Sequence, residues 1–340
     1  MPRRDRALTR AWFLVAVGVV AVSLSGPLST SPAAPALAIA FWRTGLGTLV
    51  TVPVATFVRP GRPWRRTRGS QRLRRAWPGR RDGLGAGVLL AVHFGTWIPS
   101  LRLTSVATAT ALVATSPLWI VLFRRLAGVH VPRAVVVGSL VGVGGVLLVT
   151  AGDITGSGRP ASDVALGDTL ALVGGAAHAG YAMIGERARR GTSTARWTAV
   201  VYGVCAVSLL PACLVLGVPL AGWGRAGWVQ ILLITVTAQL LGHTAFNAAV
   251  PHVGASSLTL AILLEVPGAA AIAWVWLGQV PAPVTVPGLV AVLAGLVLVV
   301  RGDRPADRPD PGAGAQPGTG QGTDVNETSL TATSGYVADA

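Results

Sequence analysis

The sequence contains no lysine and only two cysteines, and charge of either sign is sparse, at 12% of residues. A soluble domain normally carries about a quarter charged residues, so a soluble globular chain of this length is excluded. The cysteines, Cys205 and Cys213, share one apolar run and lie eight residues apart. On a helix that is about 12 Å, too far for a disulfide, and the pair reads as packing rather than as a secreted scaffold. No G-x-x-x-x-G-K-[ST] loop is present, which excludes ATP as the direct energy source, and H-E-x-x-H and G-x-S-x-G are absent. The histidines have no cysteine or carboxylate at i+3 or i+4, so no metal is expected. Neither enzyme chemistry nor a cofactor is expected.

What is abundant is apolar. Hydrophobic residues make up 51% of the 340, mean hydropathy is +0.59, and long apolar runs recur. A helix needs roughly 20 such residues to cross about 30 Å of hydrocarbon, and only helices satisfy their own backbone there. Breakers divide the chain into ten predicted spans: Ala11 to Leu28, Pro35 to Val58, Leu84 to Leu103, Ser105 to Phe123 and Ala134 to Ala151, then Val164 to Ile184, Trp197 to Leu216, Trp228 to Val250, Ser256 to Leu277 and Val284 to Val300. The basic, apolar start imitates a signal peptide, but with many spans following it is expected to be an uncleaved first helix.

The net charge of +15 comes from arginines placed in the connections. They read as topology determinants and contacts for anionic lipid headgroups, not as a nucleic-acid surface. Twenty-four fall on one side of the predicted bilayer, ten of them between Arg59 and Arg81, and three on the other: Arg102, Arg159 and Arg225. This asymmetry predicts a multi-pass inner-membrane protein with both termini in the cytoplasm. Trp12, Trp197, Trp223, Trp228 and Trp276 fall near span ends, as interfacial anchors do.

The chain also matches itself at a constant offset of 150 residues. His93 faces His243, Ala111 faces Ala261, Pro117 faces Pro267, Gly128 faces Gly278, Gly138 faces Gly288, and Gly152-Asp153 faces Gly302-Asp303. Five spans per half is an odd number, so the second copy enters the membrane inverted. Such repeats supply two nearly equivalent packings, the basis of alternating access. The expected fold is an all-α membrane protein, ten transmembrane helices as two inverted five-helix repeats. Its expected parts are a basic N-terminus (1–10), a first repeat (11–152), a connecting loop (153–163), a second repeat (164–301) and a disordered cytoplasmic tail (302–340).

Two five-span repeats, Phe41-Trp42-Arg43 in span two, and prolines midway through spans four and nine resemble the drug/metabolite transporter superfamily. The stretch Leu264-Glu265-Val266-Pro267 to Leu277-Gly278-Gln279 is particularly similar to its ten-helix EamA-type members. The resemblance covers about Ala11 to Arg301 and implies a central cavity between the halves, export of small molecules, and commonly Leu-Gly-Glu at the end of span nine. Here Gln279 replaces that acid.

Several intramembrane residues are candidates for the pathway. Glu265, costing about 2.5–3.5 kcal/mol if ionised in mid-membrane, is a proton or substrate-amine site, or a carboxyl held neutral or paired in the bundle. Arg43 binds a substrate carboxylate, or pairs with Glu265 or backbone carbonyls. His93 and His243, with His178 a weaker case, line a pathway or are packing residues. Trp42, Trp97, Trp119, Tyr181, Gln239 and Asn247 would make an apolar pocket with a few polar contacts, or fill helix interfaces. Pro117 and Pro267 are hinges, or tolerated kinks. Gly138-x-x-x-Gly142 permits close helix approach, and a homodimer is one arrangement it allows. The expected function is secondary export of small amphipathic metabolites such as amino acids or drugs. Uptake or exchange is the nearest alternative, and a non-transporting lipid-binding or scaffold protein the more distant one.

Overall fold

The computed structural model describes residues 3–57, 77–156, 158–188, 192–242, 244–246, 249, 253 and 261–302. The Arg59–Arg81 connection up to residue 76, His243, Asn247 and the tail from 303 lie outside the described residues. The described chain is helical: α1 (Arg3–Ser23), α2 (Ser25–Thr30), α3 (Ala36–Phe57), α4 (Arg80–Leu103), α5 (Val106–Val113), α6 (Ser116–Leu126), α7 (Arg133–Gly156) and α8 (Ala161–Ala188), followed by α9 (Thr194–Val215), α10 (Gly224–Ile234), a π-helix (Thr235–Gly242), α11 (Glu265–Leu277) and α12 (Thr285–Gly302).

Among the described residues, eight segments are long and apolar enough to cross a bilayer. Two more complete ten spans. The first, α8, has 28 residues but carries Asp168 and His178 in its apolar stretch; the second, α11, has 13 and follows a helical turn at Ala261–Ile262. Among the described residues, three spans are interrupted where the sequence predicts continuous helix. Span one breaks at Leu24, span four at Ala114–Thr115, and span nine at Leu263–Leu264. Span eight passes from α into π geometry at Thr235, which no periodicity signals.

The breaks in spans four and nine fall at corresponding places of the repeat. Thr110 stands before the first and Thr115 within it, and Pro117 and Pro267 lie in the first turn of the helix that restarts. Proline is tolerated there because its missing N–H would be unpaired in any case. Both restarted helices end alike. Gly278 (φ 66°) and Gly128 (φ 77°) take the left-handed conformation that only glycine adopts at no cost. In each case the next residue's N–H reaches back into the last turn, Gln279 to Ala273 O (3.2 Å) and Val129 to Arg124 O (3.0 Å).

The packing respects the duplication. Numbering the spans one to ten, α3 of span two lies on α9 of span seven, α5 of span four on α11 of span nine, and α7 of span five on α12 of span ten. These are equivalent elements meeting each other. The contact of α4 with α8 has its counterpart in that of the π-helix with α1, and α5 with α8 in α11 with α1. Exchanging the halves maps each of these contacts onto another of them or onto itself, as two inverted copies about a two-fold axis require.

The glycine stripe serves this arrangement inside the chain. A Cβ on Gly138 would lie 2.8 Å from Gly295 O, one on Gly145 2.5 Å from Val292 N, and one on Gly295 2.5 Å from Gly142 N. Backbones this close need small residues. The outer faces of the same helices carry Leu140, Leu147 and Val290, more than half exposed, toward the lipid. The buried core gathers Ile39, Leu90, Trp97, Ile98, Leu112, Tyr202, Ile231 and Ile234 from both halves.

Candidate functional site

Arg43 is the largest fully buried side chain, 2% exposed at the middle of α3. A guanidinium in hydrocarbon needs acceptors for its donors. Its Nε donates to Gln239 Oε1 (3.0 Å) and one terminal nitrogen to Ser25 Oγ (3.2 Å). Its carbon lies 4.3 Å from the centroid of the Phe94 ring, a cation–π contact. The hydrogen-bond acceptors are therefore neutral side chains rather than the carboxylate or carbonyls expected from sequence. Glu265, half-buried at the start of α11, is an electrostatic neighbour at longer range, and its carbonyl accepts from Ser23 Oγ (3.4 Å). The π geometry presents Gln239, itself 2% exposed, to α3, and Gly47 leaves room for Gln239 and the Tyr202 ring.

From Phe94 the cluster continues through aromatic rings. His93 is next to it at 4.8 Å between centroids and stacks on Trp97 at 5.7 Å, with planes 12° apart. His178 on α8 approaches His93 to 5.0 Å, and Tyr181 follows at 5.6 Å, itself stacked on Trp197. His93 Nδ1 meets Gly174 O at 3.0 Å, and His178 Nδ1 meets Ser116 Oγ at 3.1 Å. Ser116 stands directly at the break before Pro117, where its hydroxyl donates to Val113 O and Gly175 O. The helix interruption is thus tied to His178.

Of the residues singled out from sequence, Arg43, Gln239, Glu265, His93, Trp97 and Tyr181 come together, and His178 joins them as a central member. Trp42 does not. It adjoins Arg43 in sequence, but its Nε1 donates to Leu220 O (2.7 Å) and its ring meets Trp228 edge-on, bracing the α9–α10 connection. Trp119 packs on Phe123 along α6. His243 and Asn247 lie outside the described residues. Sequence reasoning missed Ser25, Phe94, Ser116 and Tyr202. Only Ser116 had a signal, its place before a repeat-paired proline.

The cluster draws on α2, α3 and α4 from one half and α8, the π-helix and α11 from the other. It offers one buried cation on neutral acceptors, one carboxyl, two imidazoles and an aromatic wall. Such a set can hold a small zwitterion or an amphipathic anion by charge and stacking.

At 18% identity, one solved structure, described only as a crystal structure of a protein, has the same fold, with a TM-score of 0.54 over 88% of this chain and 99% of that one. No curated protein matches the sequence. The EamA-like transporter family model matches twice, over residues 9–151 and 165–301, one match for each half. The chain is a multi-pass membrane protein that belongs to the EamA-like transporter family.

Proposed function

We propose that the protein is a secondary transporter that exports small amphipathic metabolites, such as amino acids or amphiphilic drugs, by alternating access. The observation that carries this reading is Arg43, a buried cation between the two halves whose hydrogen-bond acceptors, Gln239 and Ser25, are neutral. A carboxylate brought to it would form the bidentate ion pair that Gln239 and Ser25 do not. Glu265 would meet a substrate amine or carry a proton. His93 stacked on Trp97, with His178 tilted beside it, would cover apolar or aromatic substituents. The breaks before Pro117 and Pro267, tied to the cluster through Ser116, would let each half hinge. No enzyme activity enters this reading.

The 24-to-3 arginine asymmetry supports an inner-membrane location with both termini in the cytoplasm. The arginine-rich connections would rest on anionic lipid, with no nucleic acid as partner. Counterflow in proteoliposomes tests the function. With a labelled amino-acid mixture loaded on either side, saturable flux in the wild type that is lost in Arg43→Ala is the expected result. Flux favoured toward the cytoplasm-equivalent side would make the protein an uptake carrier. Absence of flux for any amphipathic metabolite would leave a lipid-binding protein instead.

A further inference from the structure

At the arginine-poor face, the end of span nine is bonded to the start of span four, across the two halves. The side-chain oxygen of Gln279 accepts from the Val106 N–H at 3.0 Å. Val106 is the first residue of α5, so this N–H has no partner within its own helix. The neighbouring donors are satisfied inside the first half. Asp153 accepts from Ser105 N–H (3.0 Å) and the Thr104 hydroxyl (2.7 Å), and Ser105 Oγ accepts from Thr108 N–H (3.1 Å). Gln279 is set in place by its backbone, because Gly278 turns left-handed and the Gln279 N–H closes on Ala273 O. A backbone N–H can only donate, so the amide presents its oxygen. Beside the bond lies a cavity of about 340 Å³, lined by Ser105 and Ala107 from one half and by Ala270, Ala273 and Gln279 from the other.

The contact reaches the Arg43 cluster through α5. Val106 and Thr110, one turn apart, pack on Gly26, where a Cβ would lie 3.0 Å from Val106 Cγ1 and 3.4 Å from Thr110 Oγ1. Gly26 follows Ser25, an acceptor of Arg43. Because α11 packs on both α5 and α2, parting α5 from α11 would uncover the helix that presents Ser25. The bond is also one-sided. At the 150-residue offset Gln279 faces Val129, Thr104 faces Gly254 and Ser105 faces Ala255, and none of these counterparts has a polar side chain. Halves of identical sequence would make the two end states of an inverted repeat equal in energy. A polar contact encoded at one end tilts the balance toward the state closed there.

We propose that Gln279 is a latch: its bond to Val106 N–H holds spans four and nine together at the arginine-poor face and keeps the Arg43 cluster shut from that side until transport breaks it. The latch rests on the alternating-access reading and adds which end is held at rest. It fits export, since a resting state closed to the outside takes its cargo from the cytoplasm.

Thr110→Cys, at a position 1% exposed and one turn further along α5, reports on the seam. The probe is a membrane-impermeant maleimide applied to intact cells carrying the full-length chain, with rates corrected for the parent, whose cysteines are buried. Gln279→Met keeps the length of the side chain but not the acceptor. It should speed labelling about five-fold, as expected for one hydrogen bond. Val106→Pro should do the same, because it deletes the donor at the first helical position, where proline is tolerated. In inverted vesicles neither variant should react faster. Unchanged rates would make Gln279 a helix cap only and overturn the latch. So would acceleration in just one of two inserted variants, or acceleration from both faces, the mark of general loosening. If one variant does not insert, the other decides alone. Labelling needs no substrate, so absent counterflow beside these rates would count against the transport reading and leave the latch standing.

Discussion

A guanidinium enclosed among helices in lipid cannot discharge, so its surroundings must be built for it. Around Arg43 this is done by a serine from α2, a glutamine from the π-helix and the face of Phe94. Gln239→Leu should therefore destabilise the protein by about 1–3 kcal/mol, the cost of leaving a buried donor unpaired. Thermal unfolding in detergent, followed by tryptophan fluorescence, measures it. Arg43→Lys should insert yet lose flux, because a point charge cannot span both acceptors as the planar fork does; counterflow reads that loss. Glu265→Gln should insert normally and transport with a flat pH profile. A wild-type profile in that variant would remove Glu265 from the mechanism.

At the scale of elements, what matters is where helices stop being regular. A π segment adds a residue per turn and redirects the side chains that follow; here it delivers Gln239 to Arg43. The breaks in spans four and nine place Ser116 and Glu265 at the starts of new helices. By contrast, α7 and α12 are uninterrupted and locked backbone to backbone along their glycines. Gly145→Leu has no room against Val292 and Gly288 and should cost about 1–3 kcal/mol or more from overpacking. The readout is a lowered unfolding temperature, with Gly144→Leu, which meets nothing within 4 Å, as the unaffected control. The same stripe reads from sequence as available to a second copy; its glycines are occupied within the chain.

The whole molecule consists of two copies whose equivalent elements meet each other, with the Arg43 cluster drawing side chains from both. In the proposed alternating-access cycle the halves lean in turn, and the Arg43 cluster, with Arg43 2% exposed, is where they would part. Orientation is testable at this scale. In intact cells, Ser157→Cys should react with a membrane-impermeant maleimide, while Ser70→Cys and Ser334→Cys should react only after lysis. The native Cys205 and Cys213 are buried and give little background. Labelling that separated positions 70 and 334 across the bilayer would refute the inverted five-span halves.

Apolar run length, the sidedness of arginine and the 150-residue offset were enough to establish lipid as the solvent, ten spans and two copies, because each is a one-dimensional consequence of crossing a membrane of set thickness. Arg43 and Glu265 were legible as candidates for the same reason, since charge inside a span is costly wherever it occurs. The partners of those charges were not legible. Ser25 and Gln239 meet Arg43 across 18 and 196 residues of chain, through a π turn that leaves no periodic trace. His93 meets His178 because α4 packs on α8. Composition and spacing decide what must enter the membrane; only the packing of helices decides which polar atoms then face one another, because that depends on rotations and breaks that residue order does not record.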